Sequence, residues 1–324
     1  MASFRKRNGK WYAEIRRQGH YRTGTFATKA QAKYWADDVE ADIESGRPVG
    51  QHSLAEALRQ YAEDASGTKR GARWERLRLN AFERDMSCVH KPIDQVTPQD
   101  LADWRDDRLG VVAPSSVRRD FNLLNSVFEL ARREWRWIRD NPLRDVAKPA
   151  NPPPRDQIIA PDHQLMIMET AGYWRGMEIR TTQQLTAAAF DLSLETAMRA
   201  GEMRSLDGPR IHLSDRYVDL PVTKNGTRRQ VPLSKGAVDI LSALDSENPF
   251  PISASTLDAT FRKLRKRAGF DGLFNFHDAR ATAITRLAKK LDIYELSRMT
   301  GHKDLKMLSR YYRETASEIA RRLD

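Results

Sequence analysis

Between residues 147 and 155 the chain reads Ala-Lys-Pro-Ala-Asn-Pro-Pro-Pro-Arg. Proline locks φ, lacks a backbone donor and clashes with a preceding helical turn, so this run is excluded from any helix and reads as a semi-rigid linker. No single folded body is expected to pass through it. The 324 residues therefore split into a front part and a back part, and both are searched for structure independently.

In the front part, residues 4–26 alternate apolar or aromatic residues with polar ones. Asn8-Gly9 is a two-residue hairpin signal and Gln18-Gly19 supplies a second turn. Three short strands are expected. Thr28 then stands three residues before Gln31, a capping-box spacing, and Trp35, Val39 and Ile43 recur at helical intervals until Ser45-Gly46-Arg47-Pro48. Residues 53–147 read as wholly helical. Ser53 with Glu56 opens one helix, and Thr97-Pro98-Gln99-Asp100 opens another that Gly110 closes. Val117, Phe121, Leu124, Val127, Phe128 and Ala131 form one stripe in the long segment Ser115 to Ile138, so a four-helix bundle is predicted.

Behind the linker, helices at about 161–171 and 181–198 lead to three strands, Arg210 to Leu213, Tyr217 to Val222 and Thr227 to Leu233, with Asn225-Gly226 in the second turn. Helices follow to the end. The fold class expected is mainly α with small antiparallel sheets.

Charge narrows the function. The 55 Lys and Arg against 44 Asp and Glu leave a net +11, an excess that suits a polyanionic partner. It is also clustered: residues 1–33 hold nine basic side chains against the single acid Glu14. A three-stranded ribbon with outward arginines fits a DNA major groove, and Arg5, Arg7, Arg16 and Arg22 are the candidates. In the helical segment Arg70, Arg73, Arg76, Arg118, Arg119, Arg132 and Arg133 either line a duplex or form an ordinary solvated face. No apolar run approaches membrane-spanning length, and the basic N-terminus lacks an apolar segment behind it, so a cytoplasmic, nucleoid-associated location is expected. One cysteine, Cys88, excludes an internal disulfide or a cysteine-built metal site.

Four pieces of the last 130 residues carry chemistry: Glu195-Thr-Ala-Met-Arg199-Ala-Gly-Glu202, Lys224 beside the hairpin turn, Phe276-His277-Asp-Ala-Arg280, and Gly301-His302 with Tyr311 nine positions on. Any one of them is weak alone. In this order, with these separations, the set resembles the tyrosine recombinase (phage integrase) family. Residues 155–324 resemble its catalytic domain, including Thr223 to Ser234, where a lysine hairpin runs into Val-Pro-Leu. Residues 51–150 resemble its core-binding domain, and residues 1–50 resemble, more weakly, the arm-type DNA-binding module of integrases. Ala279 and Ala281 around Arg280, and Asp207-Gly-Pro, depart from the usual family pattern.

The resemblance implies roles, and chemistry explains the residue types. Breaking a phosphodiester while conserving its energy requires a covalent protein nucleophile, for which Tyr311 is implied. Tyr312 is adjacent, and composition alone does not choose between them; Asp304 to Arg313 reads as a short helix, on which neighbouring side chains point about 100° apart so that only one hydroxyl faces the phosphate, and the family spacing selects Tyr311. Arg199 and Arg280 would stabilise the charged phosphorane as fixed bidentate donors, and Lys224 would protonate the leaving 5′-oxygen. His277 and His302 are implied as donors to the phosphate, His277 also as proton acceptor from the tyrosine, and Glu202 as an orienting carboxylate. No cofactor is expected, because neither clustered carboxylates for metals nor a glycine-rich phosphate loop is present. The implied partners are double-stranded DNA with core and arm-type sites, a homotetramer on that DNA, and an accessory DNA-bending protein. The implied task is phage or mobile-element integration and excision. DNA inversion or dimer resolution, a type IB topoisomerase and a non-catalytic DNA-binding protein are the alternatives.

Overall fold

The computed structural model describes residues 2–44, 51–65, 67, 71–150, 157–221, 228–245, 247–312, 317, 320 and 321. By its internal contacts the chain forms two compact units, Met1–Pro154 and Arg155–Asp324, divided within the proline run. No helix among the described residues is long and apolar enough to cross a membrane.

The first unit opens with an antiparallel meander of β1 (Ala2–Arg7), β2 (Lys10–Arg17) and β3 (His20–Phe26). Both turns place two successive residues at positive φ, Asn8 and Gly9, then Gln18 and Gly19, the backbone twist that two-residue hairpins require. Thr28 and Gln31 exchange side-chain-to-backbone hydrogen bonds at 3.2 Å and start α1 (Lys29–Glu44), as the capping-box spacing predicts. Ala36, Val39 and Ile43 of α1 pack on Ile15 of β2, with Phe4 and Trp35 at the margin.

Four helices follow, in agreement with the predicted bundle: α2 (Leu54–Asp64), α3 (Ala72–Asp85), α4 (Pro98–Leu109) and α5 (Pro114–Arg133). The boxes at Ser53 with Glu56 and Thr97 with Asp100 are both formed. Their core joins Leu58, Phe82, Leu101, Phe121, Leu124 and Phe128; burying each such side chain contributes about 1.5–3 kcal/mol of transfer free energy. Helix α5 stops short of the apolar pattern that runs to Ile138. Arg136 turns to φ +58 and the Trp137 N–H returns to the Ala131 carbonyl at 2.8 Å, so Ile138 reaches the same core from a loop.

In the second unit, α6 (Pro161–Ala171) precedes α7 (Thr182–Thr196). Helix α7 is buried on every side from Thr186 to Leu194, so it forms the axis of the unit. The short α8 (Ala200–Met203) leads to a three-stranded antiparallel sheet of β4 (Ile211–His212), β5 (Tyr217–Leu220) and β6 (Arg229–Pro232); β4 is one residue shorter at each end than expected, β5 starts at Tyr217 as expected, and β6 ends one residue before Leu233. The second turn of this sheet, with Asn225, Gly226 and Lys224, lies outside the described residues. Then come α9 (Lys235–Ser242), α10 (Ala254–Arg267), α11 (Asp278–Leu287), α12 (Ile293–Thr300) and α13 (Lys306–Ser309). The main core stacks Phe190, Phe261 and Phe276, with ring centroids 4.9 Å apart for Phe190 and Phe261 and 5.3 Å for Phe261 and Phe276. A smaller cluster of Ala197, Ala283, Ile284, Leu296 and Leu308 supports Tyr311 and Tyr312.

Candidate active site

The site is built where α7 ends. Ala197 takes the left-handed conformation at φ +55, a backbone state that costs a residue with a Cβ free energy. That turn puts Arg199 in front of α8. Glu202, one turn later, accepts from the Arg199 backbone N–H at 2.9 Å and from its guanidinium at 2.8 Å. Glu202 is only 7% exposed, and its other bonds come from Arg229 at 3.0 and 2.7 Å. Burial acts to raise the Glu202 carboxyl, but the bonds from Arg229 and Arg199 outweigh it and hold the group below the usual carboxylate range.

Arg229, the first residue of β6, spends its remaining Nε–H on the Met299 carbonyl of α12 at 3.0 Å. It therefore ties the sheet to α8 and to the end of α12. Gly301 closes that helix at φ +73, and a Cβ there would stand 3.0 Å from the Arg229 guanidinium, so both conformation and space call for glycine. Arg280 enters from the first turn of α11. It is 4% exposed and donates to the carbonyls of Ala197 and of Thr300, the latter at 2.7 Å. Burial, reinforced by Arg199, pulls its guanidinium down to about 9, so it stays charged at neutral pH.

His302 follows Gly301. Its backbone N–H and carbonyl are both held by Ser297, and its Nδ1 lies 2.7 Å from the Thr300 hydroxyl. Burial, then the charges of Arg280, Arg199 and Arg229, push the imidazole down to about 4. The ring is neutral at pH 7.

Tyr311 and Tyr312 do not lie on a helix spanning 304–313, as the sequence suggests. Helix α13 covers only Lys306–Ser309, and the tyrosines follow in two tight turns, with N–H bonds to Leu308 at 2.9 Å and Ser309 at 3.1 Å. Asp304 caps Lys306 at 2.9 Å but no helical ladder continues past Ser309. The two hydroxyls differ. Tyr312 donates to the Leu291 carbonyl at 2.9 Å, whereas Tyr311 acts electrostatically on Arg280 and lies under the Arg310 guanidinium. His277 precedes α11 and is exposed, and its carbonyl accepts from the Arg280 N–H at 3.1 Å. Lys224 lies outside the described residues. Arg229 and Thr300 were not singled out by sequence reasoning. Arg229 is one of two adjacent arginines after Lys224, and nothing local distinguishes it from Arg228; Thr300 precedes Gly301-His302, a place where only the fold reveals its hydroxyl's neighbours.

The basic candidates of the first unit separate. Arg5 and Arg16 lie on one face of the sheet, both paired with Glu14 and stacked over Tyr12 and Tyr21. Arg7 ends β1 exposed. Arg22 is paired in register with Ile15, so it points to the opposite face, where it is bonded to Asp94. In the bundle Arg73, Arg76 and Arg119 are exposed, Arg118 donates to the Pro149 carbonyl at 2.6 Å, and Arg132 and Arg133 pair with Glu129. Arg70 lies outside the described residues. Among the described residues no group of three His, Cys, Asp or Glu side chains is arranged to hold a metal ion.

A protein described as an integrase/recombinase, from Haemophilus influenzae, is 36% identical over 96% of this chain and 87% of its own length. The chain belongs to the phage integrase family. The sequence model of that family matches residues 161–318, the stretch that holds Arg199, Arg280, His302 and Tyr311. As a family member it is a tyrosine-type site-specific recombinase, an enzyme that breaks and rejoins DNA. A shufflon-specific DNA recombinase from Escherichia coli is 32% identical over 84% of the chain and 72% of its own. Solved structures share the fold. A lambda integrase dimer bound to a core site superposes with a TM-score of 0.69 at 19% identity over 96% of both chains. The Tn1549 transposon integrase gives 0.67 at 18% identity, covering 85% of this chain and all of that one.

Proposed function

We propose that this recombinase cleaves DNA through a 3′-phosphotyrosine at Tyr311, exchanges strands through a Holliday junction, and serves the integration and excision of a phage or mobile element. One observation carries the chemistry: Arg199, Arg280 and His302 come from three separate elements and are bonded into one framework beside Tyr311. A phosphodiester set among them meets fixed guanidinium forks where charge develops in the phosphorane, an arrangement that needs no reorganisation during reaction. In this reading Lys224 protonates the leaving 5′-oxygen, His277 accepts the tyrosine proton, and Glu202 orients the arginines. Residues 155–324 form the catalytic domain, 51–150 the core-binding domain and 1–50 an arm-binding module that contacts DNA through Arg5, Arg7 and Arg16.

The integrases solved on DNA include a lambda integrase tetramer on a Holliday junction, which supports a homotetramer for this chain as well. The test begins by footprinting the full-length protein to find its core site. A nicked suicide duplex of that site, incubated in EDTA without nucleotide, then traps a covalent adduct, because arginine and lysine supply the positive charge that a metal would otherwise give. Strand-exchanged products between two sites separate integration from inversion. Absence of an adduct, or an adduct that forms only with added magnesium, overturns the reading.

A further inference from the structure

The Thr300 hydroxyl has two neighbours and only one proton. It lies 2.6 Å from the Leu296 carbonyl and 2.7 Å from His302 Nδ1. A carbonyl oxygen only accepts, so the hydroxyl donates there and must accept at the histidine. The proton between Thr300 and His302 therefore belongs to Nδ1. In a neutral imidazole the other nitrogen is then a lone pair.

This places an acceptor where a phosphate needs a donor. We propose that Thr300 is a positioning residue that holds His302 as the Nδ1–H tautomer in the DNA-free protein. His302 then becomes a donor to the phosphodiester only by taking up a proton at Nε2. The inference rests on the site being the phosphodiester site described above. The step is a simple protonation: one N–H bond forms at Nε2, the proton comes from solvent, and Nδ1–H to Thr300 is kept.

The surroundings make the proton uptake conditional on DNA. Arg199 from the start of α8, Arg229 from β6 and Arg280 from α11 all oppose a positive imidazole. Glu202 of α8, already bonded to Arg199 and Arg229, and Tyr311 both act on Arg280 in the opposite sense. A phosphodiester oxygen in direct contact with Nε2 offsets part of this field and favours the protonated ring, because an anion accepting a hydrogen bond stabilises the charged form. Ser297 holds the backbone of His302 from both sides, and the ring itself is held at Nδ1 by Thr300. The Thr300 side chain is fully buried, and its carbonyl also accepts from Arg280, so one residue holds both Arg280 and His302.

The test is nitrogen NMR of the full-length protein carrying 15N-labelled histidine, with His302→Gln identifying the resonances. In the DNA-free protein at pH 7, His302 is expected to show a protonated Nδ1 and an unprotonated Nε2. Thr300→Ser keeps this pattern, whereas Thr300→Val, which removes the hydroxyl at nearly constant volume, lets the proton move to Nε2. Binding of a duplex of the footprinted core site to Tyr311→Phe protein protonates both nitrogens. A protonated Nε2 in the free wild-type protein, an unchanged Nδ1–H tautomer in Thr300→Val, or an Nε2 still bare on the duplex overturns the inference. The free-protein spectrum does not depend on cleavage. If it shows Nδ1–H while no tyrosine adduct forms, the recombinase site reading fails and the tautomer stands; if the adduct forms and the tautomer is reversed, this inference alone fails.

Discussion

Two carboxylates in this chain each stand among three arginines, and they differ in how far those arginines reach water. Glu129, on α5 of the first unit, pairs with Arg132, Arg133 and Arg144, whose side chains are 28%, 66% and 53% exposed. Hydrogen bonding from Asn141, with help from Arg132 and Arg144, lowers its carboxyl to about 2. Glu202, in the second unit, bonds Arg199 and Arg229 and lies in the field of Arg280, and Arg229 and Arg280 are nearly inaccessible. Water screens the first cluster and makes it a surface tie for the loop after α5. Screening is weak in the second. Three cations against one anion leave two uncompensated charges at the proposed phosphate position, whereas the same stoichiometry on α5 faces water.

The sharpest way to break this comparison is to remove the proposed nucleophile beside the buried cluster. Tyr311→Phe is expected to abolish the covalent adduct on the suicide duplex while DNA binding stays nearly intact. Tyr312→Phe still forms the adduct and loses the bond to the Leu291 carbonyl, at a cost of about 1 kcal/mol in stability. Mass spectrometry that locates the nucleotide on Tyr312 would reverse the assignment.

Arg229→Met comes next. It leaves Glu202 with Arg199 alone and detaches β6 from Met299, so the cleavage rate at saturating DNA should fall about 100-fold, the scale of a displacement near 1 Å in a reacting geometry. Binding should change much less. Pairing the substitution with Glu202→Gln removes the buried unpaired carboxylate and should restore thermal stability without restoring the rate. A double variant that cleaves at the wild-type rate would show that Arg229 only neutralises a charge.

Acid should distinguish the clusters as well. The His302 imidazole is pushed down in the folded protein, so the unfolded chain binds a proton first, and stability is lost as pH falls from about 6.5 toward 4. Glu202, also held low, loses its contribution as pH falls through the carboxylate range, in the same direction. Thermal unfolding followed between pH 7 and 4 should show the second unit weakening over this window, less steeply in His302→Gln. An identical slope in that variant would remove the buried imidazole as the cause.

The smallest effect belongs to the exposed cluster. Glu129→Gln should cost less than about 1 kcal/mol, because exposed ion pairs contribute little, and it should leave cleavage unchanged. A large loss of cleavage would mean that the two clusters are not as different as their exposure says.

Much of this was legible in the chain. Capping boxes at Thr28, Ser53 and Thr97 are local exchanges over three residues, so spacing alone announces them, and positive-φ pairs at Asn8-Gly9 and Gln18-Gly19 announce the hairpins. Helix ends governed by distant packing were harder to read. The apolar periodicity past Arg133 continued through a loop that returns Ile138 to the same core, and the segment around Tyr311 was read as a helix although only one turn forms.

The order Arg199, Lys224, His277 with Arg280, Gly301-His302 and Tyr311 is a property of the sequence, and its resemblance to the pattern of the phage integrase family was enough to point to that family. Which other basic residues join them is not written there. An arginine's surroundings depend on contacts between segments far apart in the chain, so Arg229 and the surface arginines look alike until β6 is laid against α12. The same holds for Arg22, which the strand register turns away from Arg5 and Arg16, and for Thr300, whose single proton acquires meaning only when the fold sets a carbonyl on one side of it and an imidazole on the other.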